Sequence, residues 1–299
     1  MKRIIYLLLI TGFLLLPLGA FSQSQLYFST EEDFAIKTAD GAVTIVSDGD
    51  LLSWSGTVFM KNADLLIIFQ EDMDLGLDAV DVLLSDKKLV AFSTELDAAY
   101  GLFDAGDLLI TNGGIIHNEA LLYKFHLPRG LNPGLDAVQF IGEKERILDF
   151  VKFVGSVPQN YFKLYPYRLS DILYEFDVDI LFSTEGTAPK PQHPKFLDGD
   201  LLSARNGVIA VPNSALLPLA VPAGLPSRGV DYGLDAVMCP RHVYDTYIYF
   251  STEILNDDPA FTDGDVLFMG GGVVISNPSL IMSFNPRSNF MGLDAVTYW

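Results

Sequence analysis

The chain has 299 residues, 49% of them hydrophobic and 19% charged, with a formal net charge of −19 at pH 7. So large an apolar share excludes a disordered chain, and the acidic excess excludes a general nucleic-acid binder, which needs basic clusters against phosphate. The single cysteine, Cys239, excludes an intramolecular disulfide and a four-cysteine zinc site.

The amino terminus reads as a targeting segment. Lys2 and Arg3 precede an apolar run over 4–18, followed by Gly19-Ala20-Phe21-Ser22. A short basic region, an apolar stretch and small residues at the cut mark a secretory signal peptide. Residues 1–22 are assigned to it, with cleavage after Ser22. The run is short of the roughly 20 apolar residues that a spanning helix needs, and Pro17 interrupts it. Residues 23–299 are then one domain, secreted or periplasmic, touching a membrane only through the uncleaved signal.

That domain is built on four copies of one pattern. Phe-Ser-Thr-Glu stands at 28–31, 92–95, 182–185 and 250–253. Gly-Asp follows at 49–50, 106–107, 199–200 and 264–265. Gly-Leu-Asp-Ala-Val closes each copy at 76–80, 134–138, 233–237 and 292–296. The aspartates of this pentad, Asp78, Asp136, Asp235 and Asp294, lie 58, 99 and 59 residues apart. The unit is therefore near 58 residues, with an insertion at about 139–180.

Within a copy, short apolar runs alternate with turn residues. Residues 50–54 and 57–60 flank Ser55-Gly56, and residues 81–85 and 88–93 flank Asp86-Lys87. Asn112-Gly113 favours a tight hairpin at the equivalent turn of the second copy. Each copy predicts about four strands in meander order. The runs at 65–69 and 121–125 are too short for periodicity to separate a strand from a helical turn.

The first tetrad has no pentad before it, and the last pentad is followed only by Thr297-Tyr298-Trp299. The two half-units are complementary. The expected fold is all-β, a four-bladed β-propeller closed by the C-terminal strand, with another repeat β-barrel or sandwich as the alternative. An outer-membrane barrel fits less well, because runs such as 65–69 and 266–269 do not alternate in polarity. The Asp-Ala-Val steps at 78–80, 136–138, 235–237 and 294–296 resemble the strand openings of hemopexin-like four-bladed propellers. That resemblance covers the repeat number and these tripeptides, and it implies that Ala79, Ala137, Ala236 and Ala295 line a narrow channel. Phe-Ser-Thr-Glu is not a hemopexin motif.

Twelve repeated acids are the candidate metal ligands: Glu31, Asp50, Asp78, Glu95, Asp107, Asp136, Glu185, Asp200, Asp235, Glu253, Asp265 and Asp294. Carboxylates in this density suit Ca²⁺, which takes six to eight oxygens. The competing role is local, since Asp beside Gly is a turn former that bonds its own backbone. No EF-hand is present, because the twelfth position from Asp48 is Phe59. No catalytic set is predicted. His117, His126, His193 and His242 do not recur, none has metal-ligand spacing, and a nucleophilic serine repeated four times is implausible.

The symmetry breaks at the insertion, which is rich in aromatic residues and holds several of the few cations. Ile147, Phe150, Val151 and Val154 have helical spacing there. Tyr161, Tyr165, Tyr167, Lys163 and Arg168 are the candidate ligand-binding residues, suited to a glycan or a protein partner. A second unrepeated stretch, 186–198, is rich in Pro and Lys. The expected function is an exported, non-enzymatic binding or scaffold module, Ca²⁺-stabilised, with no nucleic-acid partner. The alternatives are a hydrolase of glycans or phosphoesters using unrepeated acids such as Asp149, Asp171 or Glu175, and a purely structural surface protein.

Overall fold

The computed structural model describes residues 26–37, 41–128, 130–188, 195–241 and 247–298. The signal segment, His193, His242 and the centre of the Pro/Lys stretch lie outside the described residues. The first tetrad lies on β1 (Leu26–Ser29). A hairpin of β2 (Phe34–Lys37) and β3 (Val43–Val46) leads to β4 (Leu51–Ser53) and β5 (Thr57–Met60). The second set is β6 (Val80–Leu84), β7 (Leu89–Phe92), β8 (Leu108–Ile110) and β9 (Ile115–Ile116). The third is β10 (Val138–Ile141), β11 (Asp179–Phe182), β12 (Leu201–Ser203) and β13 (Val208–Val211). In the last, β14 (Ala236–Met238) and β15 (Tyr249–Ser251) precede a small hairpin, β16 (Asn256–Asp257) and β17 (Ala260–Phe261). Then come β18 (Val266–Phe268), β19 (Val273–Ile275) and β20 (Ala295–Tyr298).

These strands make four antiparallel sheets in the orders β20-β1-β4-β5, β6-β7-β8-β9, β10-β11-β12-β13 and β14-β15-β18-β19. The register carries the repeat. Val80 faces Phe92, Val138 faces Phe182, Val237 faces Phe250 and Val296 faces Phe28. Each pentad valine thus pairs with a tetrad phenylalanine, and all four phenylalanines are buried. The leading strands also touch one another: β6 lies against β10 and β20, and β14 against β10 and β20. Apolar side chains fill the spaces between successive sheets in four separate layers.

The expectation of a closed, all-β four-bladed propeller needs correction. The strands form several small, separate antiparallel sheets, and among the described residues no sheet closes on itself or shares a hydrogen-bonded strand pair with the next. Side chains, not backbone ladders, join the sheets. The fold is not all-β either. The insertion carries helices Lys144–Val154, Tyr161–Leu164 and Arg168–Phe176, whose buried Ile147, Phe150, Val151, Leu169, Ile172 and Leu173 follow a helical period. What the terminal half-units do is narrower than closure of a propeller: β20 completes the sheet of β1, pairing Leu26 with Tyr298 and Ser29 with Ala295.

The ambiguous apolar runs resolve as helical turns. In the first copy, helix Asn62–Leu66 runs into a 3₁₀ turn, Ile67–Phe69, ended by left-handed Gln70. Equivalent turns start at Asn118, Asn213 and Asn277. Each receives the outer hairpin of another sheet. Trp54 Nε1 donates to Ser279 O at 2.9 Å, Lys124 Nζ to Arg205 O at 3.1 Å, and Gly270 N to Leu216 O at 2.7 Å. No helix among the described residues is long and apolar enough to cross a membrane.

Candidate functional site

The twelve repeated acids separate into two sets. The four Gly-Asp aspartates are occupied by backbone. Asp50 Oδ1 accepts from Asn62 N at 3.0 Å, Asp107 Oδ1 from Asn118 N at 2.8 Å, Asp200 Oδ1 from Asn213 N at 2.8 Å, and Asp265 Oδ1 from Asn277 N at 2.7 Å. The second oxygen of Asp107, Asp200 and Asp265 accepts a backbone N–H three residues earlier. Each therefore pins the start of a helical turn to the loop before its own strand. In the second copy, His117 Nδ1 also meets Asp107 Oδ2, at 2.7 Å.

The other eight converge. Each pentad aspartate sits at the head of a leading strand, directed there by a buried leucine (Leu77, Leu135, Leu234 or Leu293) on one side and the strand's Ala-Val on the other. Each tetrad glutamate folds over the pentad glycine of its own sheet. A Cβ on Gly76, Gly134, Gly233 or Gly292 would collide with the carboxyl of Glu95, Glu185, Glu253 or Glu31 respectively. Glycine there is what lets the glutamate turn inward.

In three of the four copies the tetrad serine joins neighbouring copies, whereas Ser29 Oγ is buried without a partner. Ser93 Oγ donates to Leu135 O at 2.9 Å, Ser183 Oγ to Leu234 O at 2.6 Å, and Ser251 Oγ to Leu293 O at 3.4 Å. These three serines are thus engaged in holding the pentad loops together. The threonine after it closes a local turn in every copy, as Thr94 Oγ1 does on Leu96 O at 2.9 Å.

The electrostatics of the eight carboxyl groups are shared. Burial first, and then the charge of Asp235, Glu253, Glu185 and Asp294, holds Asp136 well above the ordinary aspartate range. Burial does the same to Asp78, Asp235 and Asp294, each reinforced by acids from other sheets. Glu31, Glu95 and Glu253 are pushed up to about 7, by burial and then by neighbouring carboxylates. Glu185 is raised by burial and opposed by a hydrogen bond with Asp78. One carboxylate oxygen each of Asp136, Asp235 and Glu253 lies within 4.8 Å of the other two. Asp136 Oδ2, both oxygens of Asp235 and Asp294 Oδ2 are buried without a hydrogen-bond partner. A separate acidic pair stands in the third copy, where burial and Asp198 push Asp231 up to about 8.

The predicted ligand residues of the insertion also lie together. Tyr161 and Tyr165 have ring centroids 5.5 Å apart, Tyr165 and Tyr167 6.4 Å, and Tyr167 meets Tyr123 of the second copy at 6.3 Å. Tyr123, Tyr165 and Tyr167 are each exposed by more than 40%. Tyr161 is half-buried, set edge-on against Phe153 and Phe162. Lys163 is exposed, whereas Arg168 is directed to Asp171 at 3.2 Å. Nearby, Lys124 Nζ and the Arg205 guanidinium lie 5.1 and 5.4 Å from the centre of the Tyr174 ring.

One constellation has no counterpart among the predicted residues. Asp81, fully buried on β6, accepts two bonds from Arg241, at 2.7 and 2.8 Å, and others from Gln139 Nε2, Phe140 N and Thr297 Oγ1. Gln139 Oε1 in turn accepts from Cys239 N at 3.2 Å. Asp81, Gln139 and Thr297 each stand three residues after a pentad aspartate; the fourth such position is Met238. The signal for them is a polar residue at that step inside an otherwise apolar strand. No protein family, curated protein or solved structure matches the chain. The likeness to hemopexin-like chains therefore rests on the repeat number and the Asp-Ala-Val tripeptides.

Proposed function

We propose that the protein is an exported, non-enzymatic binding or scaffold module that meets its ligand through the insertion. The observation that carries this reading is the exposed tyrosine row in which Tyr165 and Tyr167, from the segment that breaks the repeat, meet Tyr123 of the second copy. The repeated polar residues mostly serve the repeat itself: serines join copies, threonines close turns, and Gly-Asp aspartates pin loops. An exposed row of aromatic faces beside Lys163 is free to stack on the apolar faces of sugar rings, with hydroxyls left for hydrogen bonding. An acidic glycan is the favoured ligand, since exposed Lys163 offers a cation in the same segment. Export rests on the basic, apolar and small-residue order of 1–22.

The hydrolase reading has less support. Asp149, Asp171 and Glu175 are exposed on two helices, and Asp171 is engaged by Arg168. The test is a glycan-binding screen of the mature chain alongside a Tyr165→Ala/Tyr167→Ala variant. An acidic glycan should be retained by the native protein and lose about tenfold or more in affinity with the variant, as for removal of two stacking faces. Equal binding by both proteins, or no glycan bound by either, overturns the reading.

A further inference from the structure

We propose that Asp136, Asp235 and Glu253 form a binding site for one hard divalent cation, Ca²⁺ by preference, that bridges the third and fourth sheets. Asp136 heads β10, Asp235 precedes β14, and Glu253 follows β15, so the ligands come from both sheets.

The geometry brings three carboxylates within reach of one ion. Two oxygens bound to one Ca²⁺ at about 2.4 Å can stand at most about 4.8 Å apart. One oxygen from each of the three carboxylates lies within 4.8 Å of the other two, so a small inward shift lets all three bind one ion. Ca²⁺ tolerates an irregular oxygen shell, whereas Mg²⁺ demands near-ideal octahedral geometry and keeps several waters. The donor chemistry agrees, because the site offers carboxylates and no thiolate or imidazole, and hard cations take oxygen.

Acidic residues crowded together do not by themselves make a site. The second observation is the state of the oxygens. Asp235 is 4% exposed and Asp136 6%, yet both oxygens of Asp235 and one of Asp136 have no hydrogen-bond partner. Buried carboxylate oxygens normally find donors. The Gly-Asp aspartates of the same copies do find them, from Asn118, Leu197 and Asn213. These oxygens instead face one another and Glu253, and no described ion pair involves any of the three. Glu253, exposed beside the two buried aspartates, is the ligand on the solvent side.

The test uses the mature protein, stripped with chelator and then titrated. Equilibrium dialysis with radioactive Ca²⁺ measures binding directly, and thermal melts with Ca²⁺, Mg²⁺ and Zn²⁺ measure its effect. Expected are saturable Ca²⁺ binding below about 1 mM and a rise in melting temperature of about 5 °C or more at a hundredfold excess over Kd. Asp235→Asn and Asp136→Asn should each weaken binding at least tenfold. Glu253→Gln changes a surface group, so it keeps the fold and should weaken binding as well. No Ca²⁺ bound at about 10 mM, or Glu253→Gln binding like the native chain, overturns the proposal. Stabilisation by Zn²⁺ or Mg²⁺ equal to that by Ca²⁺ overturns the choice of ion.

Discussion

At the scale of single residues, the carboxylates have consequences for pH. Glu31, Glu95 and Glu253 titrate near 7 in the folded chain, and the four pentad aspartates are also raised. A carboxyl whose pKa is higher folded than unfolded binds more protons in the native state. Its contribution to stability is complete below the unfolded value, near 4, and is lost as pH rises through the folded value. Chelated protein should therefore melt at a higher temperature at about pH 5.5 than at about pH 8. Asp235→Asn removes a buried charge and should flatten that difference, raising stability at the higher pH by about 1–3 kcal/mol. Thermal melts across this range decide it; a chelated native protein that grows more stable toward pH 8 contradicts the shared burial of these groups.

At the scale of elements, the repeat works through a three-part anchor of Gly-Asp, asparagine and pentad glycine. Asn62 Nδ2 donates to Gly49 O and Gly76 O, both at 3.2 Å, while its Oδ1 accepts from Leu75 N at 3.4 Å. The helical turn, the loop before β4 and the pentad loop are thereby fixed to one side chain. Asn62→Ala strands three backbone groups and should cost about 2–4 kcal/mol in urea unfolding, since each buried unsatisfied group costs about 1–3. A loss below about 0.5 kcal/mol would show that the anchor is idle. Much of this was legible in the chain. The tetrad, pair and pentad located the strands, and a helical spacing marked Lys144–Val154. The runs at 65–69 and 121–125 were not legible, because five apolar residues satisfy either period and the asparagine anchor that decides between them is tertiary. The division of the twelve acids was equally hidden. Asp50 and Asp78 look alike beside glycine or alanine, and only the fold shows one accepting backbone N–H groups and the other facing carboxylates.

At the scale of the whole molecule, the sheets are held by apolar layers and by one polar centre that touches all four. Asp81 comes from β6, Gln139 from β10, Arg241 from just after β14, and Thr297 from β20. Arg241 is 14% exposed in its side chain and Asp81 is fully buried, so water screens this pair poorly. Arg241→Ala leaves Asp81 buried and unpaired, at a cost of about 3–5 kcal/mol. Replacing both partners by apolar residues of similar volume, Asp81→Leu with Arg241→Met, removes the unpaired charge and leaves only the cost of the donors Gln139 Nε2, Phe140 N and Thr297 Oγ1 that lose their acceptor. Denaturant unfolding of the two variants separates a centre that holds the sheets together from one that merely fills space. The overestimate of a closed all-β propeller arose at this scale. Repeat number and complementary half-units say which strands pair, but not how the separate sheets are arranged.

The pairing of β1 with β20 has a consequence for synthesis. Leu26 and Tyr298 are partners far apart in sequence, so the first sheet lacks a strand until the other three have all of theirs. On the ribosome β1 can pair with β4 early, but its other edge has no partner until β20 is made. The pairing of β1 with β20 also allows the strands to be reconnected. Joining 298 to 26 by a short linker and opening the chain in an exposed turn, such as Asp86-Lys87, keeps every strand pair while changing which sheet is completed last.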